Sequence, residues 1–414
     1  MIPLITYLGA IILGAITALV FKDSTIAASL FMNLSSYAMR LGAFIFLPMI
    51  LFALPPAAAS LKKYHLTRKV IIPSLYWSLL TAFILPLLCA LAIYFIAIPF
   101  PASSTAGTEG YFTSILPSSF SSAGDSLFSG NIVYTLSKLT DFFLPAIIFS
   151  YLFGLALKPD METVKPAYRL MNSFSVVMYR IARMYKTLGF ILLYPVSSLF
   201  FLELIQEKTL LLYPALPLFL FAAALFIGLI ILPLLLSALT LFKVNGWFAI
   251  FKSLPVLLSA FFTGSYVFAS PMLESTLKDQ FGIRRRVSSS SIPLLSVIGR
   301  AGSASVAVIC ALSVIFSAAG SMPSLYEVVV ITLLCCFASF SSSIAGGGLE
   351  AVFIIAIAFQ LADINLYGAE MTIIGVLPLI SALSASLDIE IGLLGALLCD
   401  RRIKVYNKVE ENNW

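Results

Sequence analysis

Ser341-Ser342-Ser343-Ile344-Ala345-Gly346-Gly347-Gly348 decides how this chain is read. The run lies inside an apolar region from about Val329 to Phe359. Four serines, counting Ser339, and three consecutive glycines suit a lipid-facing helix poorly. Glycine costs about 1 kcal/mol relative to alanine in a helix interior. Non-helical backbone at membrane depth is tolerated only where protein or a water-filled cavity surrounds it. The run therefore predicts a helix–break–helix whose tip lines something. A small-residue packing face is the other reading of the same letters, because Gly and Ser also mediate contacts between transmembrane helices.

Composition sets the solvent. Of 414 residues, 60% are hydrophobic and 11% charged, the balance of a polytopic membrane protein. Several apolar runs exceed the ~20 residues that a helix needs to cross a bilayer. Cys89, Cys310, Cys335, Cys336 and Cys399 lie within or at the end of apolar segments without CxxC spacing, so neither a disulfide framework nor a zinc site is indicated. The single histidine, His65, sits in a basic loop, which argues against a histidine metal centre or a catalytic triad. The net charge of +6 needs no nucleic acid, because the basic residues fall in loops where the positive-inside rule puts them. No basic segment precedes the first apolar run, which reads as a span and not as a cleaved signal.

Loop charge then gives the topology. Spans are expected at about 3–21, 29–61, 70–98, 132–157, 170–204 and 210–241. The loop Lys62–Lys69 has four Lys/Arg in eight residues and is assigned to the cytoplasm. Pro99–Gly130 is rich in Ser, Gly and Pro and reads as an external loop. Arg180, Arg183 and Lys186 share one helical face and read as an interfacial, snorkelling face. The next apolar segment, about 254–272, starts at Lys252 and ends at Arg284-Arg285-Arg286. One crossing cannot begin and end on the same side, so a re-entrant hairpin breaking at Thr263-Gly264-Ser265-Tyr266 is predicted. A seventh span, about 292–319, follows. The serine–glycine stretch is then a second hairpin from the opposite face, and a last span runs from about 371 to 399. The expectation is an all-α polytopic membrane protein with eight transmembrane helices and two oppositely oriented re-entrant hairpins in inverted repeats. It lies in the cell (inner) membrane with both termini cytoplasmic. Such repeats with broken helices at the midplane mark secondary transporters.

Chemistry is sought where charge meets apolar sequence. Gly299-Arg300-Ala301-Gly302-Ser303 interrupts the seventh span. A mid-membrane arginine should face a cavity or a partner. It reads as an anion contact, as a resident cation in an unwound segment, or as an arginine snorkelling to the inner interface. In the last span Ser381, Ser384 and Asp388 are spaced i, i+3, i+7 on one face, a polar stripe able to line a solute path. Arg300 is the first partner expected for Asp388, through the cavity. Glu390 lies off that face and is expected to pair with a basic group elsewhere.

The order of these elements resembles the dicarboxylate/amino acid:cation symporter family, which includes the glutamate and aspartate transporters. The resemblance covers almost the whole chain. The family's serine-rich first hairpin tip matches Thr263–Pro271 with only part of its serine run. The family's Asn-Met-Asp-Gly-Thr motif falls on Gly299-Arg300-Ala301-Gly302-Ser303, and its glycine-rich second tip on Ala345-Gly346-Gly347-Gly348. The departures are chemical. The sodium-coordinating Asn and Asp of the seventh span fall on Gly299 and Ala301, which offer no side-chain oxygen. The aspartate and arginine that hold substrate in the eighth span fall on Ser381 and Ser384. The asparagine and aspartate of the sodium site there fall on Asp388 and Gly392.

The resemblance implies a divergent, elevator-type secondary active symporter of a small organic solute, a dicarboxylate or an amino acid. It implies a scaffold in residues 1–250, with spans three and six able to move with the core. The transport core would be residues 251–404, followed by a cytoplasmic tail at 405–414. It also implies a homotrimer among membrane lipids. Ser265, Arg300, Gly346, Gly347, Gly348, Ser381, Ser384 and Asp388 are the expected solute-binding residues, with Asp388 also a sodium candidate. The coupling ion would be Na+ or H+, the latter through Asp388 or Glu390, and no other cofactor or nucleic acid is expected. A passive channel built on re-entrant hairpins and a non-transporting sensor remain the rival readings. An enzyme is disfavoured because the chain has no His/Cys/acid cluster and no nucleophile–base pair.

Overall fold

The computed structural model describes residues 2–99, 143–206, 214–298, 300–344, 348–364 and 369–411. Helices α1 (Ile2–Val20), α2 (Thr25–Lys63), α3 (Thr67–Ile96), α4 (Leu144–Ala156), α5 (Lys165–Gln206) and α6 (Ala215–Leu239) come first. A π-helical turn, Ile227–Ile231, interrupts α6. Two broken pairs follow: α7 (Gly246–Thr263) with α8 (Tyr266–Phe281), then α9 (Arg285–Val297) with α10 (Ala301–Ala319). Next come α11 (Leu325–Ser339), a 3-10 turn at Ser342–Ile344, α12 (Glu350–Leu361) and the long α13 (Ala369–Glu411). No strand occurs among the described residues. The chain is an all-α polytopic membrane protein.

Among the described residues seven helical stretches are long and apolar enough to cross a membrane: α2, α3, α5, α6, α7, Arg285–Ala319 and Gly375–Lys404. By the same measure α1 and α4 are shorter apolar helices. The fourth span was expected from residue 132, and residues 132–142 lie outside the described residues, as does most of the expected external loop. Helix α7 is long enough to cross unaided and starts at Gly246, earlier than the hairpin arm read from the sequence. The last span does not stop at Cys399 but continues as helix to Glu411, since nothing from Asp400 onward is a Gly or Pro.

Local chemistry places the breaks. Helix α7 ends on Gly264 at φ +59°, the left-handed conformation glycine adopts without strain. Ser265 then caps α8, its hydroxyl accepting from the Phe268 N–H at 3.4 Å. One dipeptide thus stops a helix and starts the next. The second break uses Gly348 at φ +86°, just ahead of α12. In the seventh span the backbone is extended at Ile298, and Arg300 occupies the N-cap of α10.

Helix α13 is the centre of the molecule. Within Gly375–Lys404 its apolar 18-residue core is 94% buried, against 39% for the corresponding part of α3 and 33% for that of α6. Protein therefore surrounds α13, whereas α3 and α6 keep broad apolar faces outward, as lipid-facing helices do. Helices α3, α6, α7, α8, α9 and α10 all pack on it. Trp77 of α3 is fully buried and donates its indole N–H to the Ile391 carbonyl at 2.9 Å. Helices α1, α2, α4 and α5 pack chiefly on one another, and α7, α8 and α9 also lean on α2 or α5. Arg183 and Lys186 are more than an interfacial face. Both reach Asp279 of α8, at 2.7 and 3.4 Å, because the last turn of α8 carries that acid at their depth; Arg180 is exposed.

The close approach of α3 to α13 is testable. A Cβ at Gly395 would lie 2.7 Å from Trp77 Cδ1 and 2.9 Å from Leu295 Cδ1. Gly395→Ala is expected to destabilise the protein by about 1–3 kcal/mol through overpacking, read as a lower thermal unfolding midpoint in detergent. An unchanged midpoint would contradict this packing.

Candidate functional site

Three helix ends and one continuous helix converge on the break at Arg300. Helix α10 starts in the protein interior, so its first N–H groups need partners. Asp388 of α13 supplies them. Its Oδ1 accepts from Gly302 N at 2.8 Å and Ser303 N at 3.3 Å, and its Oδ2 accepts from the Ser303 hydroxyl at 2.6 Å. A carboxylate at a helix N-terminus is also favoured by the helix dipole.

Arg300 is 5% exposed and fully engaged in a different direction. Its Nε donates to the Ser296 carbonyl at 3.0 Å, and its Nη1 donates to Glu350 Oε1. Its guanidinium lies 5.3 Å from the Tyr266 ring centre. Glu350, 4% exposed, opens α12. The expected pairing of Asp388 with Arg300 is thereby corrected: Glu350 takes the arginine, and Asp388 takes the backbone of α10. The sequence did carry a signal for this, because Glu350 is the one charged residue between Glu327 and Asp363. Snorkelling of Arg300 is excluded by its burial and by this partner.

The remaining predicted residues fall into two places. The helix breaks at Gly264 and Gly348 meet over α13. A Cβ at Gly348 would lie 2.8 Å from the Gly264 carbonyl oxygen and 3.2 Å from Ser381 Cβ, and a Cβ at Gly264 would lie 2.6 Å from Ser381 Oγ. Only glycine permits this approach, and both have positive φ. Beside the contact is a cavity of about 150 Å³. Thr263, Gly348, Leu349, Pro378 and Ser381 form one side, and Ser35, Met39, Phe200 and Glu203 of α2 and α5 the other. No Lys or Arg lines it among the described residues. Ser265 lies at the tip as a helix cap. Gly299, Ala345, Gly346 and Gly347 lie outside the described residues.

Ser384, Tyr266 and Ser343 each bury a hydroxyl that has no partner. Tyr266 and Ser343 share with Arg300 a cavity of about 10 Å³, room for about one water. Among the described residues Glu390 meets no basic group within salt-bridge distance. It is 6% exposed, its Oε1 has no partner, and its Oε2 lies against Gly228 in the π-turn of α6.

The fit of a sodium ion at Asp388 can be judged from its donors. A hard cation takes oxygen ligands, but both Asp388 oxygens already accept from N–H or O–H groups. Among the described residues no group of three His, Cys, Asp or Glu could hold a metal. In this structure both Asp388 oxygens serve the N-terminus of α10.

The sequence profile of the sodium:dicarboxylate symporter family matches residues 4–401, nearly the whole chain. No curated protein matches the sequence. The family implies sodium-coupled symport of dicarboxylates or amino acids, a transport function and not an enzymatic one.

Glu350→Gln would leave Arg300 buried and short of its counter-charge. Breaking a buried ion pair in this way costs about 3–5 kcal/mol, whereas replacing both partners by apolar residues is close to neutral. Glu350→Gln should therefore lower the unfolding midpoint sharply, and Arg300→Met with Glu350→Leu should recover most of it. Equal losses in both would show that the pair does not act as a unit.

Proposed function

The chain belongs to the sodium:dicarboxylate symporter family, and on that premise we propose that it is a secondary active carrier of a small amino acid working by an elevator-type movement. The carrying observation is the meeting of two helix breaks at Ser381 beside a cavity whose far wall is α2 and α5. Helices α7 to α13 form the moving core in this reading, with α3 and α6 carried along on α10 and α13. The second hairpin is the external gate, and Gly348 permits the backbone change that opening needs.

An amino acid is favoured over a dicarboxylate by charge. Hydroxyls of Ser35, Thr263 and Ser381, together with Glu203, border the cavity, and no cation does so among the described residues. A second carboxylate would be left unpaired in a dry site, at a loss of several kcal/mol. Arg300 does not supply the missing cation to the solute, because it is committed to Glu350. It serves instead as a resident positive charge where relatives place sodium ligands. Coupling then draws less on sodium and passes to protons through Glu390, since unpaired carboxyls within the membrane mark proton pathways.

Proteoliposomes separate these statements. Uptake of a neutral amino acid should saturate and be driven by a proton gradient, with succinate a poor competitor. Glu390→Gln should abolish gradient-driven accumulation while leaving exchange of labelled for unlabelled solute intact. Counterflow itself distinguishes a carrier from a channel, which only equilibrates, and its absence for every solute would favour a sensor. A steep, multi-ion sodium dependence would sink the role given to Arg300.

A further inference from the structure

A second cavity lies far along the fold from the hairpin tips, at the face that loop charge assigns to the cytoplasm. It has a volume of about 240 Å³. Arg284, Arg285 and Arg286, at the start of α9, form one wall, and Tyr168, Asn172 and Ser175 of α5 form the opposite one. The last turns of α2 and Ser289 of α9 complete it.

Three arginines in a row beside a membrane need no ligand to explain them, because the positive-inside rule already does. Two details go beyond that rule. First, the arginines line a half-open cavity together with hydroxyl and amide side chains. The Arg285 guanidinium is held by Asn172 Oδ1 at 2.7 Å, and Arg286 lies 4.9 Å from the Tyr64 ring centre. Both side chains are thus positioned by protein and do not extend freely to lipid. Second, none of the three has a carboxylate partner within salt-bridge distance among the described residues, and the Arg286 Nε is buried without any acceptor. A buried guanidinium N–H without an acceptor is costly. Glu274 accepts from Ser289 behind the cavity wall; the lining itself carries three guanidinium groups and, among the described residues, no carboxylate, which leaves the space positive.

We propose that this cavity binds a phosphate-type oxyanion, held by Arg285 and Arg286 with hydroxyl and amide donors from α5. Guanidinium forks match phosphate oxygens in paired hydrogen bonds. The volume fits inorganic phosphate or the phosphate of one lipid headgroup, and is small for a larger metabolite. Because the walls come from α2 and α5 on one side and α9 on the other, an occupant ties these elements together. On the elevator reading it would hold the core against the scaffold on its cytoplasmic side; the binding itself does not depend on that reading.

The test measures binding, not transport. Purified full-length protein in neutral detergent is heated with increasing inorganic phosphate, against chloride at matched ionic strength. The same protein is compared in nanodiscs of phosphatidylcholine with and without phosphatidylglycerol. A ligand of the native state raises the unfolding midpoint in a saturable way. A rise with free phosphate in detergent identifies a soluble oxyanion; a rise only with phosphatidylglycerol identifies a lipid headgroup. Arg285→Gln and Arg286→Gln should each remove the rise, and Arg169→Gln, a nearby exposed arginine outside the cavity, should keep it. Ser175→Leu fills the space at unchanged charge and should also remove it. Retention of the rise in Ser175→Leu or in both arginine variants, or no rise in either medium, overturns the proposal. If Ser175→Leu does not fold, the arginine pair decides. Uptake activity plays no part in these readouts, so a failed carrier assignment and a failed anion site give different results.

Discussion

The ion pair between Arg300 and Glu350 is the contact on which the rest of this architecture depends. A helix broken inside a membrane exposes polar backbone that lipid cannot satisfy. Placing an arginine at the break adds a charge that must be matched on the spot. Glu350 matches it from α12, so α12 is fixed to the broken span by charge and not by apolar packing alone. Asp388 answers the other half of the problem, the bare N–H groups of α10. One cationic side chain, two acidic ones and a helix N-terminus with about half a positive charge therefore bind α10, α12 and α13 into one polar knot.

That knot divides labour within the site. The helix breaks at Gly264 and Gly348 meet above Ser381, beside a cavity lined by hydroxyls, apolar groups and Glu203. Arg300, Glu350 and Asp388 lie outside its lining, already partnered and almost wholly buried. In the pattern that this sequence resembles, side-chain oxygens in the seventh span take sodium. Here Ala301 has none to give, and a guanidinium stands beside the position. In the proposed mechanism the electrostatic role of a bound cation and the role of contacting the solute are separated, the first given to Arg300 and the second to the residues around Ser381.

Much of this could be read in the amino-acid sequence, and what could not has a physical cause. The breaks at Gly264 and Gly348 were legible because a left-handed turn demands glycine and the following helix demands a cap such as Ser265. The polar stripe of the last helix was legible as a face, Ser381, Ser384 and Asp388, but its central place in the packing was not read from it. Partner choice was not legible. Spacing along one helix shows which residues share a face, but not which of two acids on other helices reaches an arginine. Glu350 was visible as a lone charge in an apolar stretch, yet the glycines beside it drew the reading to the backbone. Asp279 was missed as the partner of Arg183 and Lys186 for the same reason: the contact joins residues far apart in sequence, and surface charge at a helix end has a sufficient explanation without it.

A resident cation changes what a moving core has to carry. Each elementary charge moved across the membrane potential is worth about 2.3 kcal/mol per 100 mV. A carrier that loads sodium moves a different net charge when full than when empty. In the proposed mechanism Arg300, Glu350 and Asp388 travel together in both directions, and their sum does not change with loading. Only a group that gains and loses its partner between states can make the two journeys differ. Among the buried charges near α13, Arg300 and Asp388 are held by hydrogen bonds, and Glu390, facing the π-turn of α6 with one oxygen unmatched, is not. A proton on that carboxyl neutralises it without any rearrangement of the knot. The π-turn supports the same assignment, because such single-turn bulges inside helices are frequent at functional sites, and this one brings Gly228 against the carboxyl oxygen where a larger residue would exclude it.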